Sequence, residues 1–219
     1  MTDKPLRIDF VSDVTCPWCA IGLAALEQAI ARVGSDDVRV ELRVQPFELN
    51  PDMSRDGEPI VEYVRRKYGS SAEELAERQA LIRQRGADVG FTFGTRTHVY
   101  NTFDAHRLLH WAGLEGKALA LKRALLAAYH QRGEDPSRRD VLLAAAAAVG
   151  LDADEAGTVL ASGAYADEVR ASVRRWQQLG IHAVPSAIVD GRYLIQGGQP
   201  VAAYEQALRN IAHEARAAA

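Results

Sequence analysis

The chain's only two cysteines stand three positions apart in Cys16-Pro17-Trp18-Cys19, where a strand pattern gives way to a helix pattern. Before the motif, Leu6-Arg7-Ile8-Asp9-Phe10-Val11-Ser12-Asp13 alternates apolar and polar side chains, as a half-buried strand does. After it, Ile21, Leu26, Ala29, Ile30 and Val33 fall along a helical stripe that Gly34 closes. Pro17 suits the first helical position, because its missing N–H would have no partner there. Cys16 is thereby placed at a helix entrance, where free N–H groups and the positive dipole end favour an anion. Only a thiolate attacks a disulfide, so Cys16 is the candidate nucleophile and Cys19, one turn inside, the candidate resolving thiol.

Other uses of the pair fit less well. A zinc site takes four ligands, yet there is no second Cys-x-x-Cys, and the nearest histidine downstream is His98. No metal is therefore expected. A structural disulfide over so short a loop would constrain the unfolded chain little. Two inert buried thiols remain the open alternative.

The length, 219 residues, suits one large domain or one domain carrying an insertion. A net charge of −3 and a pI near 6.1 give no electrostatic reason for a nucleic-acid partner. The longest apolar run, Val141 to Val149, is too short to span a bilayer, so no membrane partner is expected. Met1-Thr2-Asp3-Lys4-Pro5 passes into the first strand with no apolar leader, so the expected location is cytoplasmic. There a cysteine pair is more often catalytic than structural.

Residues 38–44 alternate strictly and read as a second strand ended by Pro46, giving a strand–helix–strand unit whose crossover favours a parallel pair. Helices are predicted over 59–68, 72–84 (with Ser70 and Ser71 as candidate caps), 102–112, 117–131, 138–149, 152–163 and 167–179. Residues 90–94 read as irregular. Two strands, 185–189 and 192–195, flank the turn dipeptide Asp190-Gly191, and a last helix runs from 201 to about 215.

Cys-Pro-Trp-Cys after a first strand, an all-helical middle, and Val184-Pro185 before a hairpin resemble the DsbA-like thioredoxin superfamily. The similarity extends to Asp13, to Asn101-Thr102-Phe103-Asp104-Ala105-His106-Arg107-Leu108, to Gly180-Ile181-His182-Ala183-Val184-Pro185 and to Gly198-Gln199-Pro200. Within that superfamily the chain resembles the FrnE branch, whose relatives include 2-hydroxychromene-2-carboxylate isomerases and kappa-class glutathione transferases. The resemblance implies an α/β, thioredoxin-like fold with a large all-helical insertion. Residues 1–50 and 165–219 would form the thioredoxin-like part and residues 51–164 the helical insertion.

It also implies roles. Pro185 would be cis and face Cys16, with the Val184 backbone open to pair with an extended substrate. Trp18 would add apolar contact surface, and Asn101, His106 or Arg107 would approach the cleft between the inserted helices and Cys16. Asn101 to Asp104 also reads as a helix cap, and His182 as a proton shuttle or a solvated loop residue. His106 and His110 share a helix face, a spacing that more often reflects packing than metal ligation. Strongly oxidising DsbA proteins carry histidine where Trp18 stands, so a potential below their value of about −120 mV is expected.

The function implied is a cytoplasmic thiol–disulfide oxidoreductase or disulfide isomerase. A glutathione-dependent isomerase or transferase and a non-catalytic redox sensor are the alternatives. The relatives of the transferase kind typically place serine where Cys16 stands. Beyond the sulfur pair no cofactor is expected, with glutathione open as a co-substrate. Partners would be thiol- or disulfide-containing proteins, glutathione or a small molecule, and both monomer and homodimer remain open.

Overall fold

The computed structural model describes residues 5–34 and 38–217. The opening Met1-Thr2-Asp3-Lys4 and the last two alanines lie outside the described residues. Strand β1 (Leu6–Ser12) leads through a short turn into helix α1 (Pro17–Gly34), which returns the chain to β2 (Val40–Pro46). β1 and β2 pair in parallel, as a helical crossover requires. Late in the chain β5 (Ser186–Val189) and β6 (Tyr193–Gln196) form a hairpin, and β5 joins β1 antiparallel. The sheet order is therefore β2-β1-β5-β6. At the hairpin turn Asp190 and Gly191 both take positive φ, 50° and 68°, the backbone that a two-residue turn between twisted strands demands.

β1 is buried on both faces rather than half-buried as its alternation suggested, because Asp9 and Ser12 are covered along with the apolar residues. Ile8 and Phe10 pack with α1 and with α9 (Val201–Ala217) through Leu23, Leu26, Tyr204 and Leu208. Val11 points the other way, into a cluster with Phe47, Trp176 and Ile181. Trp176 belongs to α8 (Ala166–Gln178), so α8 covers the face opposite α1 and α9. Fully burying each such large side chain contributes about 1.5–3 kcal/mol.

Between β2 and α8 the chain is mainly helical. Helices α4 (Phe103–Leu114), α5 (Ala118–His130), α6 (Arg139–Ala148) and α7 (Ala153–Ser162) enclose a core of Leu108, Leu121, Leu125, Leu142 and Ala146. Val14, from the turn preceding Cys16, inserts into this core, so the helices anchor the loop that carries the motif. Helices α2 (Ile60–Tyr68) and α3 (Ala72–Ala87) gather around Ile60, Tyr63, Leu75 and Val99. Of the two candidate caps, Ser71 caps α3, in a reciprocal pair with Glu74. Two short strands, β3 (Glu58–Pro59) and β4 (His98–Val99), pair antiparallel and tie α2 to the start of α4. Among the described residues no helix is long and apolar enough to cross a membrane.

Candidate active site at the N-terminus of helix α1

Cys16 immediately precedes the first residue of an 18-residue helix, and Cys19 lies one turn inside it. Both sulfurs are thiols here. Cys16 retains 4 % of its surface and Cys19 none, a small difference that decides which sulfur a substrate meets first. Cys16 is at the floor of a cleft of about 640 Å³, and Cys19 does not line it. Burial pushes the Cys19 thiol well above its ordinary value, and the hydrogen bond and charge of Cys16 push it further. The inner sulfur therefore holds its proton.

The Val184–Pro185 peptide is cis, and the Val184 carbonyl accepts the Cys16 thiol at 3.7 Å. This loop approaches α1 closely because residue 22 is glycine. A Cβ there would stand 2.9 Å from Pro185 Cγ, inside normal contact distance. Trp18, half-buried against the main core, lines the cleft beside Cys16. Its walls include Phe47, Leu49, Ile60, Tyr63, Tyr68 and Leu75, with Lys67, Arg78 and Arg96 supplying positive charge beside Glu48 and His182. The cleft is thus an apolar trough with a mainly cationic rim.

Beneath the cysteines lies a buried polar cluster. Asp13 accepts the Leu49 N–H at 2.7 Å and the Thr15 N–H at 3.3 Å, and its carboxylate is 3.6 Å from His106 Nε2. Burial alone would raise the Asp13 carboxyl, but His106, the Leu49 N–H and Lys122 together hold it below the usual carboxylate range. Lys122 is 1 % exposed and donates to the Ser12 carbonyl at 3.3 Å. Burial lowers its pKa, while Cys19, Asp13 and Cys16 pull it back up. Its charge in turn lowers the Cys19 thiol's pKa, without reversing the rise that burial imposes. The sequence reading did not find Lys122, although its signal is visible: it interrupts the apolar stripe of Leu121, Leu125 and Leu126.

Three expected cleft residues lie elsewhere. His106 is 1 % exposed and packs against Asp13 below the motif rather than in the cleft. Arg107 is turned into the helical block, where it donates to the Ala164 carbonyl at 2.8 Å, to Asp104 at 2.7 Å and to the Val159 carbonyl. It pins α7 to α4. Asn101 accepts the Phe103 N–H at 2.9 Å and donates to the Met53 carbonyl at 3.2 Å, so it acts as a cap that also holds the 51–53 loop. The resemblance implied that these residues approach the cleft, but α4 turns its buried side to α5 and α7, and Asn101 precedes the helix. His110 diverges from His106 and its ring lies 5.1 Å from that of Tyr165. His182, Trp18 and Val184 do line the cleft.

His106 and His130 carry a pH consequence. His130 is fully buried and its Nε2–H donates to the Val14 carbonyl at 2.9 Å. Burial holds both imidazoles below their ordinary value near 6.5, His130 well below it. Below about pH 6.5 the unfolded chain binds protons that the folded one refuses. The stabilisation is therefore complete above that pH and is lost as the pH falls towards the lowered folded values. The unfolding free energy from urea titrations is expected to drop between pH 7 and pH 5, by up to about 1.4 kcal/mol per pH unit for each histidine. His130→Gln should flatten the profile; an unchanged slope would contradict this account.

Comparison with known proteins agrees with this geometry. The family profile described as DSBA-like thioredoxin domain matches residues 7–209. The uncharacterized protein YwbO of Bacillus subtilis (strain 168) is 28% identical over 205 residues, covering 93% of this chain and 96% of its own. The crystal structure of the probable DsbA oxidoreductase SCO1869 from Streptomyces coelicolor is 36% identical with a TM-score of 0.85, covering 94% of this chain and 89% of that one. A 2-hydroxychromene-2-carboxylate isomerase shares the fold at 16% identity and a TM-score of 0.72, over 97% of this chain and 99% of its own. With its cis proline set against a helix-entrance cysteine pair and its profile match over nearly the whole length, the chain belongs to the DSBA-like thioredoxin domain family.

Proposed function

We propose that the protein is a thiol–disulfide oxidoreductase or disulfide isomerase of the FrnE type, working through Cys16 and Cys19 on disulfides or thiols of protein substrates in the cytoplasm. The observation that carries this reading is the asymmetry of the pair: Cys16 opens on the cleft, while Cys19 is sealed one turn below it. In the reducing direction the Cys16 thiolate attacks a substrate disulfide, and one substrate sulfur leaves with the electron pair of the broken bond. Cys19 then attacks Cys16, closing the ring, breaking the Cys16–substrate bond and expelling the second sulfur, which takes up the Cys19 proton. Oxidation of a substrate dithiol is the same path reversed. With two cysteines in these 219 residues, the electrons come from or pass to an external thiol partner.

A second reading is favoured by the rim. Lys67, Arg78, Arg96 and His182 would suit a small anionic thiol such as glutathione, either as co-substrate or in transferase chemistry. Insulin disulfide reduction, compared between the native protein and Cys16→Ser, tests the main reading. Transfer of glutathione to an electrophile by Cys16→Ser would favour the second.

A further inference from the structure

Resting on the oxidoreductase reading above, we propose that Glu48 is the catalytic acid–base group for the substrate sulfur in the Cys16 cleft. When the Cys16 thiolate attacks a disulfide, the departing sulfur lies on the far side of the breaking bond, out in the cleft. The group that protonates it must therefore face the cleft rather than touch Cys16. Among the carboxylates of the described residues, Glu48 is the one in the cleft wall, between Phe47 and Leu49 at the end of β2.

Its placement is held from behind. The Leu49 N–H is bound by Asp13 at 2.7 Å, which fixes the segment over the end of β1. Glu48 also lines a second cavity of about 400 Å³ on the other side of the segment, facing Arg170 of α8. That arginine is itself held over the Phe103 ring at 4.6 Å.

The charges around the carboxyl compete. Burial raises its pKa, the Asp13 carboxylate raises it further, Arg170 opposes, and Asp52 from the following loop adds to the rise, leaving it at about 7. Asp104 and Arg55 share the second cavity, and Asp104 is already paired with Arg107 at 2.7 Å. On the cleft side stand Lys67, whose ammonium is bound to the Leu49 carbonyl and Asn50, and His182 on the opposite loop. A general acid is most effective near the working pH, and this environment supplies one.

The step balances as follows. Cys16–S⁻, R–S–S–R′ and Glu48–COOH give Cys16–S–S–R, R′–SH and Glu48–COO⁻; the Cys16–S bond forms, the R–S–S–R′ bond breaks, and the proton goes to R′. Solvent water returns the proton to Glu48 before the next turnover. In the oxidising direction the carboxylate removes the proton from the incoming thiol.

The test is single-turnover oxidation of the reduced protein by two disulfides. Bis(2-hydroxyethyl) disulfide expels a basic alkyl thiolate that needs a proton. An aromatic disulfide with a nitrobenzoate leaving group expels a stable thiolate that does not. Glu48→Gln is expected to lower the ratio of alkyl to aromatic rate on the order of 100-fold, with Glu48→Asp recovering part of it. In the native protein that ratio should fall as the pH rises through about 7. An unchanged ratio in Glu48→Gln, whether both rates fall together or neither falls, overturns the proposal. A native protein that reacts with neither disulfide refutes the oxidoreductase reading and takes the proposal with it.

Discussion

Replacing Cys16 with serine is expected to reduce insulin disulfide reduction to background, while replacing Cys19 with alanine stalls the protein as a mixed disulfide. The two effects differ because the two sulfurs do different work. Cys16 is the one that opens on the cleft, and a serine hydroxyl there is neither ionised at neutral pH nor able to form a disulfide. Loss of a nucleophile commonly costs several orders of magnitude. Cys19 takes no part in the first attack, since burial and the neighbouring Cys16 keep it protonated and out of contact with the cleft. Its removal leaves the Cys16–substrate bond with no internal thiol to break it. Mass spectrometry of Cys19→Ala after exposure to a substrate disulfide should find the adduct on Cys16 alone. Equal adduct formation by Cys16→Ser would reverse the assignment of roles.

Asp13→Ala is expected to destabilise the fold by about 3–5 kcal/mol, the range found when one partner of a buried charge pair is removed. The carboxylate has several tasks at once. It accepts the Leu49 and Thr15 N–H groups, lies 3.6 Å from His106, and offsets the buried Lys122 ammonium. Alanine leaves those donors without an acceptor and Lys122 without its compensating charge. Against a total stability of about 5–15 kcal/mol, this is a large share. The 47–50 segment would also lose its anchor, so the KM for a protein substrate should rise. Asp13→Asn keeps one acceptor oxygen and should cost less, and comparing urea midpoints of the two variants separates hydrogen bonding from charge. A loss under about 1 kcal/mol for Asp13→Ala would show that the cluster is not a unit.

The thioredoxin-type half was legible because its signals are local. The alternation in β1, the strict alternation in β2, Pro17 at the helix start and Asp190-Gly191 between two short strands each act through the nearest few residues. β3 and β4 escaped because two-residue strands carry no alternation. The site was half legible. The cysteine pair, Trp18 and Val184-Pro185 are marked by motif, and they do meet at the end of α1. His106, Arg107 and Asn101 were placed in the cleft from the motif that contains them, yet which side of α4 faces inward is set by α5 and α7, which sequence spacing does not encode. Glu48 and Lys122 were missed for the complementary reason. Each looks like an ordinary charged residue until the fold brings Asp13 beside it.

Equilibration of the protein with graded ratios of reduced to oxidised glutathione, followed by acid quenching and counting of free thiols, addresses the sulfur pair itself. The account predicts a single reversible transition in which both thiols vanish together into a Cys16–Cys19 disulfide, with glutathione adducts confined to Cys16 when Cys19 is absent. Two thiols that stay free at every ratio, or that take up glutathione independently of one another, would contradict it.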